Sequence, residues 1–332
     1  MKLRILAEQD CRALLRMDEA IEIQAEAFGL LAGGWAVEGL RAVARSETPP
    51  GVAIFNPCFL RGGEGFGIKV VSDFYENASH GAPRMSALIT LFDGKTGLPR
   101  TLMEGGYVTD LRTGAGTGLA ARHLARSDSR LLGVIGAGRV ARNQIEALCT
   151  VFDLRRILIA TRTRERGEAL VAEVRRRFGV DAALAADAEE AVRDADLVVA
   201  ATTSREPVVQ GRWLKPGAFV AAVGAYAVEH RELDDEAIAR ASCHVIDSRA
   251  DCLDRAGDFM IPIRHGRLQR EEVAEIAEIV SGARSGRRLP QDIVVFKSSG
   301  VPIQDLVTAQ HIERRAVEQG RGTVLELGGD HD

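Results

Sequence analysis

The sequence is poor in lysine and cysteine and has no long apolar run. Lysine occurs only at positions 2, 69, 95, 215 and 297, so arginine supplies the other 38 of the 43 basic residues. This bias makes each remaining lysine a mild candidate for a function. The five cysteines are odd in number and form no Cys-x-x-Cys pair, which argues against a disulfide framework or a zinc cage. The longest apolar stretch, residues 216–228, is too short to cross a bilayer.

The sequence also lacks an excess of positive charge. Its 43 basic and 47 acidic side chains leave a net charge of −4, so no global field attracts nucleic acid or an anionic membrane. The histidines show no metal-ligand spacing, and the N-terminus lacks the apolar core of a signal peptide. We therefore predict a cytoplasmic protein with no metal, no nucleic-acid partner and no membrane partner.

The pattern of apolar residues changes near residue 120, and the 332 residues are enough for two domains. Residues 10–45 show helical spacing, and glycine-interrupted strands follow, including a hairpin over 88–103. After residue 130, buried strands alternate with helices, which is typical of a parallel sheet. The sequence thus predicts an α/β protein in which a Rossmann domain, 121–307, is inserted in an α+β domain, 1–120 plus 308–332. The tail from residue 322 is predicted to be partly disordered.

A glycine-rich turn between a strand and a helix predicts dinucleotide binding. The run is Gly136, Ala137, Gly138, Arg139, Val140 and Ala141. The first glycine permits a tight turn, the second lets a pyrophosphate approach the backbone, and Ala141 lets helix and strand pack closely. The helix N-terminus then offers N–H groups to the phosphates.

The end of the next strand bears on the choice of cofactor. It carries Thr161, Arg162, Thr163 and Arg164, with no acid before Glu165 to bind a ribose 2′-hydroxyl. Arg162 can instead reach a 2′-phosphate. We expect NADPH to be preferred over NADH, although an ordinary arginine-rich start of a helix would look the same.

Two polar segments are not explained by periodicity. Residues 105–118 place Arg112 and Thr113 before small residues that open a helix, so Arg112 could bind a carboxylate and the helix start could contact a phosphate. A second strand ends in Lys297 and Ser298, at the kind of sheet edge where ligands bind. A salt bridge, a cap or a tight turn would explain each segment alone, but together they favour a site.

These segments also carry a resemblance. FGIKVV, TDLRTGAG, GVIGAGRVARNQIEAL, VGAYAVEHREL and VVFKSSGVPIQDL, spread in order over about residues 45–310, resemble the ornithine cyclodeaminase/mu-crystallin family. The resemblance implies a substrate-binding and dimerisation domain built from both termini, an inserted Rossmann domain, a homodimer, and nicotinamide chemistry on amino or cyclic imino acids.

Residue by residue, the resemblance implies that Arg45, Lys69 and Arg112 bind the substrate carboxylate. Lys69, on an apolar strand, is also the expected catalytic residue near the substrate nitrogen, because burial readily shifts the pKa of a lysine. The cofactor-binding residues implied beyond the glycine turn and 161–164 are Thr113, Thr202, Thr203, Val223, Gly224, Lys297 and Ser298.

One departure from the family's cyclodeaminases bears on the reaction. They carry a catalytic aspartate where this sequence has Tyr226, and an acid where it has Asn56. Tyrosine, with a pKa near ~10, is a poor base at neutral pH. Oxidation of an amine needs such a base, whereas reduction of a cyclic iminium needs only a hydride and a carboxylate clamp.

The sequence therefore predicts an NADPH-dependent reductase of small cyclic α-imino acids, closest in pattern to the pyrroline-2-carboxylate and ketimine reductases of the family. Tyr226 is expected to be a catalytic residue beside Lys69 and to lie against the nicotinamide or the substrate ring. An ornithine cyclodeaminase with retained NAD, an amino-acid dehydrogenase and a non-catalytic mu-crystallin-like binder remain alternatives.

Overall fold

Two units of different architecture make up the chain. The computed structural model describes residues 1–225 and 227–328. One unit comprises Met1–Arg112 together with the chain from Val301 onward, and the other comprises Thr113–Gly300. Helix α3, Gly105–Leu124, carries the chain from the first unit into the second.

The first unit is built on an eight-stranded, mostly antiparallel sheet in the order β16-β1-β7-β6-β5-β4-β2, with β3 paired to β4. Among the described residues of this sheet, only the β1–β7 pair is parallel. The strands are β1 Lys2–Leu6, β2 Ala36–Glu38, β3 Ala42–Glu47, β4 Pro50–Leu60, β5 Gly65–Phe74, β6 Met85–Phe92, β7 Pro99–Glu104 and β16 Thr323–Glu326. The helices are α1 Glu8–Leu14, α2 Met17–Ala32 and α11 Pro302–Glu318, with short 3-10 turns at Arg61–Gly63 and Asn77–His80.

Strand β5 shows how this sheet positions polar groups. Its residues alternate between buried and half-buried, because successive side chains of a strand point to opposite faces. Helix α11 packs on β4, β5 and β6 and also on α2. Lys69 belongs to the buried set and pairs with Asn56 of β4 and Ile89 of β6. A lysine is thus fixed beneath a helix.

The second unit is a fully parallel sheet in the order β10-β9-β8-β11-β12-β15-β13-β14. Its strands are β8 Leu131–Ile135, β9 Arg156–Ala160, β10 Asp181–Leu184, β11 Leu197–Ala200, β12 Phe219–Ala222, β13 Cys243–Ile246, β14 Ala274–Glu275 and β15 Val294–Lys297. Its helices are α4 Arg139–Val151, α5 Arg164–Phe178, α6 Ala188–Arg193, α7 Asp235–Arg240, α8 Arg249–Arg255, α9 Gly257–Arg264 and α10 Ile276–Val280, with 3-10 turns at Gly211–Trp213 and Arg270–Glu272.

The strand order of this sheet reverses at β8, which makes the carboxyl end of β8 the topological switch point where dinucleotides bind in Rossmann folds. The central strands β11, β12 and β15 are buried along their whole length, as expected of a parallel sheet covered on both faces. The predicted fold class, a Rossmann domain with a second α+β domain, is confirmed.

The boundaries differ from the sequence-based ones. The predicted changeovers at 120/121 and 307/308 lie eight and seven residues after those of the structure, at 112/113 and 300/301. The predicted helical region 10–45 ends at Ala32, and residues 36–47 form edge strands instead. The predicted disorder from residue 322 is wrong for Thr323–Glu326, which pair with β1. No helix in the described residues is long and apolar enough to cross a bilayer.

Candidate active site

Three buried charged side chains meet in the first unit. Lys69 of β5 lies with its Nζ 2.5 Å from Asp305 Oδ2, and Arg112 of α3 donates from Nε to Asp305 Oδ1 at 2.9 Å. All three side chains are at most 7% exposed. Lys69, Arg112 and Asp305 are called the clamp cluster below. Two cations face one carboxylate, so the cluster carries an excess of one positive charge.

A chain of amides holds the clamp cluster in place. Gln304 accepts from Arg112 Nη1 at 3.2 Å and from the amide of Val301 at 3.1 Å, and its Nε2 donates to Gln24 Oε1 at 3.0 Å. Gln24 then donates to Thr308 Oγ1 at 3.0 Å. Because these partners are buried, Arg112 has one orientation. Its third nitrogen, Nη2, has no hydrogen bond to any of the described residues, and is available to a ligand.

The surroundings of Lys69 change its acidity. Burial, with help from the neighbouring positive charges of Arg112 and Arg41, lowers the pKa of Lys69 to about 8, although Asp305 opposes the change. Burial alone would raise the pKa of Asp305, but Arg112 and Lys69 outweigh it and the pKa lies below the ordinary value. At neutral pH the cluster therefore holds an ammonium, a guanidinium and a carboxylate.

The structure brings Arg41, and not the predicted Arg45, to this group. Arg41 Nε donates to Asn56 Oδ1 at 2.9 Å, and Asn56 pairs with Lys69 across β4 and β5. Arg45 is exposed and pairs with Val52, four residues along β4, or about 13 Å, from Asn56. The prediction for Arg45 is corrected because strand register places it beyond the cluster.

The glycine turn of the second unit has the geometry expected for a dinucleotide. Gly136 follows β8 with a φ of 115°, a conformation that favours glycine, and a Cβ there would lie 2.5 Å from the carbonyl oxygen of Ala201. Ala137 is buried, whereas Gly138 is exposed and caps α4 with open space where a side chain would be. Arg139 and Val140 open the helix. A pyrophosphate fits this backbone.

The segment after β9 is open to solvent. Thr161 is half-buried and accepts from the amide of Thr163 at 3.3 Å, while Arg162 and Thr163 are exposed. Arg164 begins α5 and donates to Glu168 at 2.7 Å, which occupies its guanidinium. Arg162 has no ion pair with any of the described residues.

A second buried ion cluster lies along the carboxyl edge of the parallel sheet. Glu232 accepts from the amide and hydroxyl of Thr202, at 2.6 and 2.9 Å, and from the amides of Gly224 and Ala225, at 2.7 and 3.1 Å. It therefore joins the loops that follow β11 and β12. Burial raises the pKa of Glu232, and the nearby positive charge of Lys297 opposes this.

Asp258 and Lys297 complete this edge cluster, which comprises Glu232, Asp258 and Lys297. Asp258 accepts from the amides of Glu232 and Leu233, at 2.7 and 2.9 Å, and lies 3.0 Å from Lys297 Nζ. Lys297, fully buried, also donates to the carbonyl oxygen of Ala225. The predicted direct contact of Lys297 with the cofactor is corrected, because its ammonium is enclosed by protein partners.

Asp247 organises the turn after β15. It accepts from Ser298 Oγ at 2.8 Å and from the amides of Ser299 and Gly300 at 2.8 and 2.6 Å. Gly300 has a φ of 79°. The hydroxyl of Ser298 thus donates to a protein carboxylate, and its expected role as a cofactor ligand stays a prediction.

The remaining predicted residues fall in different settings. Thr202 and Gly224 are half-buried in the loops joined by Glu232, as is Val223, whose amide donates to Ala200, while Thr203 is exposed. Thr113 is the ninth residue of α3, so the expected helix start at this point is wrong, and the cofactor-binding role of Thr113 stays a prediction. Tyr226 lies outside the described residues.

Comparisons with known proteins agree with this arrangement. A sequence model of the ornithine cyclodeaminase/mu-crystallin family matches residues 1–320. A Δ1-pyrroline-2-carboxylate reductase of Bacillus cereus is 32% identical over 97% of this chain and 99% of its own.

The chain belongs to the ornithine cyclodeaminase/mu-crystallin family.

Solved members of the family have the same fold. The Δ1-pyrroline-2-carboxylate reductase of Thermococcus litoralis, in complex with NADH and L-proline, is 37% identical with a TM-score of 0.92, over 96% of this chain and 99% of that one. An archaeal alanine dehydrogenase dimer with bound NAD is 32% identical with a TM-score of 0.93, over 99% and 100%. The predicted family is confirmed, and so is the predicted enzyme class, an NAD(P)-dependent oxidoreductase acting at carbon–nitrogen bonds.

Proposed function

We propose that this protein reduces the C=N bond of a small cyclic α-imino acid with one carboxylate. Δ1-Pyrroline-2-carboxylate, giving proline, and its six-membered homologue, giving pipecolate, are the substrates of choice. The observation that carries the proposal is the clamp cluster: Lys69 and Arg112 are buried, held rigidly, and balanced by only one carboxylate. A buried excess of one positive charge calls for one anionic ligand group.

In the proposed reaction, Arg112 of α3 binds the substrate carboxylate through Nη2, and the ammonium of Lys69 on β5 binds the same carboxylate. Because its pKa is about 8, Lys69 is mostly protonated at neutral pH, so it would serve as an acid toward a substrate bound at the clamp cluster. The Gly136–Gly138 turn would hold the pyrophosphate of a nicotinamide cofactor, and that cofactor would supply the hydride that imine reduction needs.

Oxidation of an amino acid is less well served by these residues. It requires a base that accepts the ammonium proton. Asp305, the carboxylate of the clamp cluster, is bound by two cations that lower its pKa, which makes it a weak base. Asn56, beside Lys69, carries no charge. This favours imine reduction over cyclodeamination of ornithine.

The test is a substrate panel with the purified protein. We expect NADPH to be oxidised with Δ1-pyrroline-2-carboxylate or Δ1-piperideine-2-carboxylate, and not with pyruvate plus ammonia. R112A should abolish the rate without loss of folding. Turnover confined to pyruvate plus ammonia would make the protein an alanine dehydrogenase instead.

We also propose NADPH as the preferred cofactor. Arg162 is exposed and has no ion pair within the described residues, and no acid lies between β9 and Glu165. A 2′-phosphate would find a guanidinium there, and a ribose 2′-hydroxyl would find no carboxylate. The T. litoralis reductase was solved with NADH, so NADH is the alternative that the measurement must exclude.

A homodimer and a cytoplasmic location complete the proposal. The outer face of β4, β5 and β6 bears stacked rings of Phe59, Phe66 and Phe92, with centroids 5.5 and 4.6 Å apart, and Leu88 is 51% exposed there. Such an apolar face suits a two-fold interface with a second copy. Light scattering should give twice the chain mass, and L88K should shift it toward the monomer.

A further inference from the structure

We propose that Asp305 is a positioning residue that holds Lys69 and Arg112 at a fixed separation and keeps Lys69 protonated. The proposal rests on the proposed function in one respect, that these two cations bind the substrate carboxylate. It adds a residue to which neither the sequence motifs nor the family resemblance gave a role.

The first support is geometric. One oxygen of Asp305 contacts Lys69 Nζ at 2.5 Å and the other accepts from Arg112 Nε at 2.9 Å. Both oxygens are therefore used, one for each cation. The two cations come from different elements, β5 and α3, and Asp305 from a third, α11, so no local sequence fixes their spacing. The carboxylate of Asp305 is the group that links β5, α3 and α11 at this point.

The second support is electrostatic. The charged groups with the largest effect on Lys69 are Asp305 from α11, Arg112 from α3 and Arg41 from the segment before β3. Its partners on β4 and β6, Asn56 and Ile89, are neutral. Burial and the two arginines all favour loss of the Lys69 proton, and Asp305 alone opposes them. Without Asp305, the pKa of Lys69 would therefore be lower than it is in the intact cluster.

The experiment is a direct titration of Lys69 in D305N. The sequence has only five lysines, so ¹³C-labelled lysine gives few signals and K69M assigns that of Lys69. We expect the pKa of Lys69 to fall from about 8 by roughly one unit or more in D305N, because a contact charge in a buried site is strong. In D305N, the fall of kcat/KM for imine reduction at alkaline pH should therefore begin at a lower pH than in the wild type.

D73N is the matched control. Asp73 is also buried and lies on β5, four residues or about 13 Å from Lys69, where it pairs with Arg84. In D73N, the measured pKa of Lys69 should equal that of the wild type within experimental error. A Lys69 pKa that is the same in D305N and wild type, with only a lowered Tm, would overturn the proposal and make Asp305 a purely structural residue.

D305E covers the case in which D305N does not fold. It keeps the charge and lengthens the side chain, so we expect the Lys69 pKa to stay near 8 while kcat/KM falls about ten-fold or more through displaced cations. Unchanged turnover in D305E would overturn the positioning role. Because the titration needs no turnover, a shifted Lys69 in D305N together with an inactive wild type would refute the proposed function and leave the role of Asp305 standing.

Discussion

The two buried ion clusters of this protein have opposite imbalances of charge. In the first unit, the clamp cluster sets Lys69 and Arg112 against Asp305 alone. In the second unit, the edge cluster sets Glu232 and Asp258 against Lys297 alone. Both are buried, where an unbalanced charge is costly unless something satisfies it.

What satisfies the imbalance differs between them. The extra carboxylate of the edge cluster is met within the chain, by the backbone amides of Thr202, Gly224, Ala225 and Leu233. In the clamp cluster, Asp305 and Gln304 accept from Nε and Nη1 of Arg112, whereas Nη2 of Arg112 has no hydrogen bond to any of the described residues. The hydrogen bonding of the edge cluster indicates a structural role, and that of the clamp cluster indicates a ligand site.

Removing Arg112 should have the largest effect. R112A removes the guanidinium that binds the substrate carboxylate and leaves Asp305 with one cation. We therefore expect kcat/KM to fall at least ~10²-fold, which corresponds to a loss of about 3 kcal/mol in transition-state stabilisation. R112K should recover little, because lysine cannot reproduce the planar fork. Circular dichroism and unchanged cofactor binding provide the control. Near-normal turnover in R112A would show that the clamp cluster is structural.

Neutralising Glu232 tests the other side of the comparison. E232Q places a side-chain amide, itself a donor, among backbone donors, so the loops after β11 and β12 should separate. We expect the free energy of unfolding to fall by about 2–3 kcal/mol and dinucleotide binding to weaken roughly ten-fold. E206Q, an exposed acid of the same region, is the control and should change neither. Thermal unfolding and fluorescence titration measure both. Intact cofactor affinity in E232Q would mean that Glu232 supports stability only.

Arg162 should have a smaller and more specific effect. If it binds a 2′-phosphate, the wild type should prefer NADPH by about ten- to hundred-fold, and R162A should lose most of that preference with little change toward NADH. R164A, whose guanidinium is already paired with Glu168, serves as the neighbouring control. Equal or tighter binding of NADH by the wild type would contradict the assignment.

The smallest effect is that of pH on the clamp cluster. Lys69 binds a carboxylate only as an ammonium, and its pKa is about 8, so affinity should be constant below that pH and fall as pH rises through it. Above this pKa, the affinity for a non-reactive carboxylate such as pyrrole-2-carboxylate should fall by up to about ten-fold for each pH unit. K69R should remove this dependence. A flat wild-type profile to pH 10 would exclude Lys69 from binding.

The sequence predicted the parts of the site that depend on local pattern. Gly136 and Gly138 stand out by spacing, and Lys69 and Arg112 by their motifs. Asp305 was missed, because an acid in the first turn of a helix is ordinary and its partners lie about two hundred residues away. Long-range pairing of that kind leaves no local signal.

Register and capping account for the other misses. Arg41 and Arg45 are four residues apart on one face of an extended segment, so the alternation of side chains cannot choose between them, whereas pairing with β4 does. The start of α3 was placed too late because small residues follow Arg112. The helix in fact begins at Gly105, where Glu104 caps it by accepting from the amides of Gly106 and Tyr107 at 2.6 and 2.8 Å.

Two assays on the unmodified protein, run in parallel, show whether the clamp cluster serves imine reduction. One follows NADPH oxidation with Δ1-pyrroline-2-carboxylate, and the other follows ammonia released from L-ornithine with NAD present. We predict proline from the imine and no ammonia from ornithine, because Asp305 is held by two cations and Asn56 is neutral. Robust ammonia release with no turnover of the imine would contradict the account.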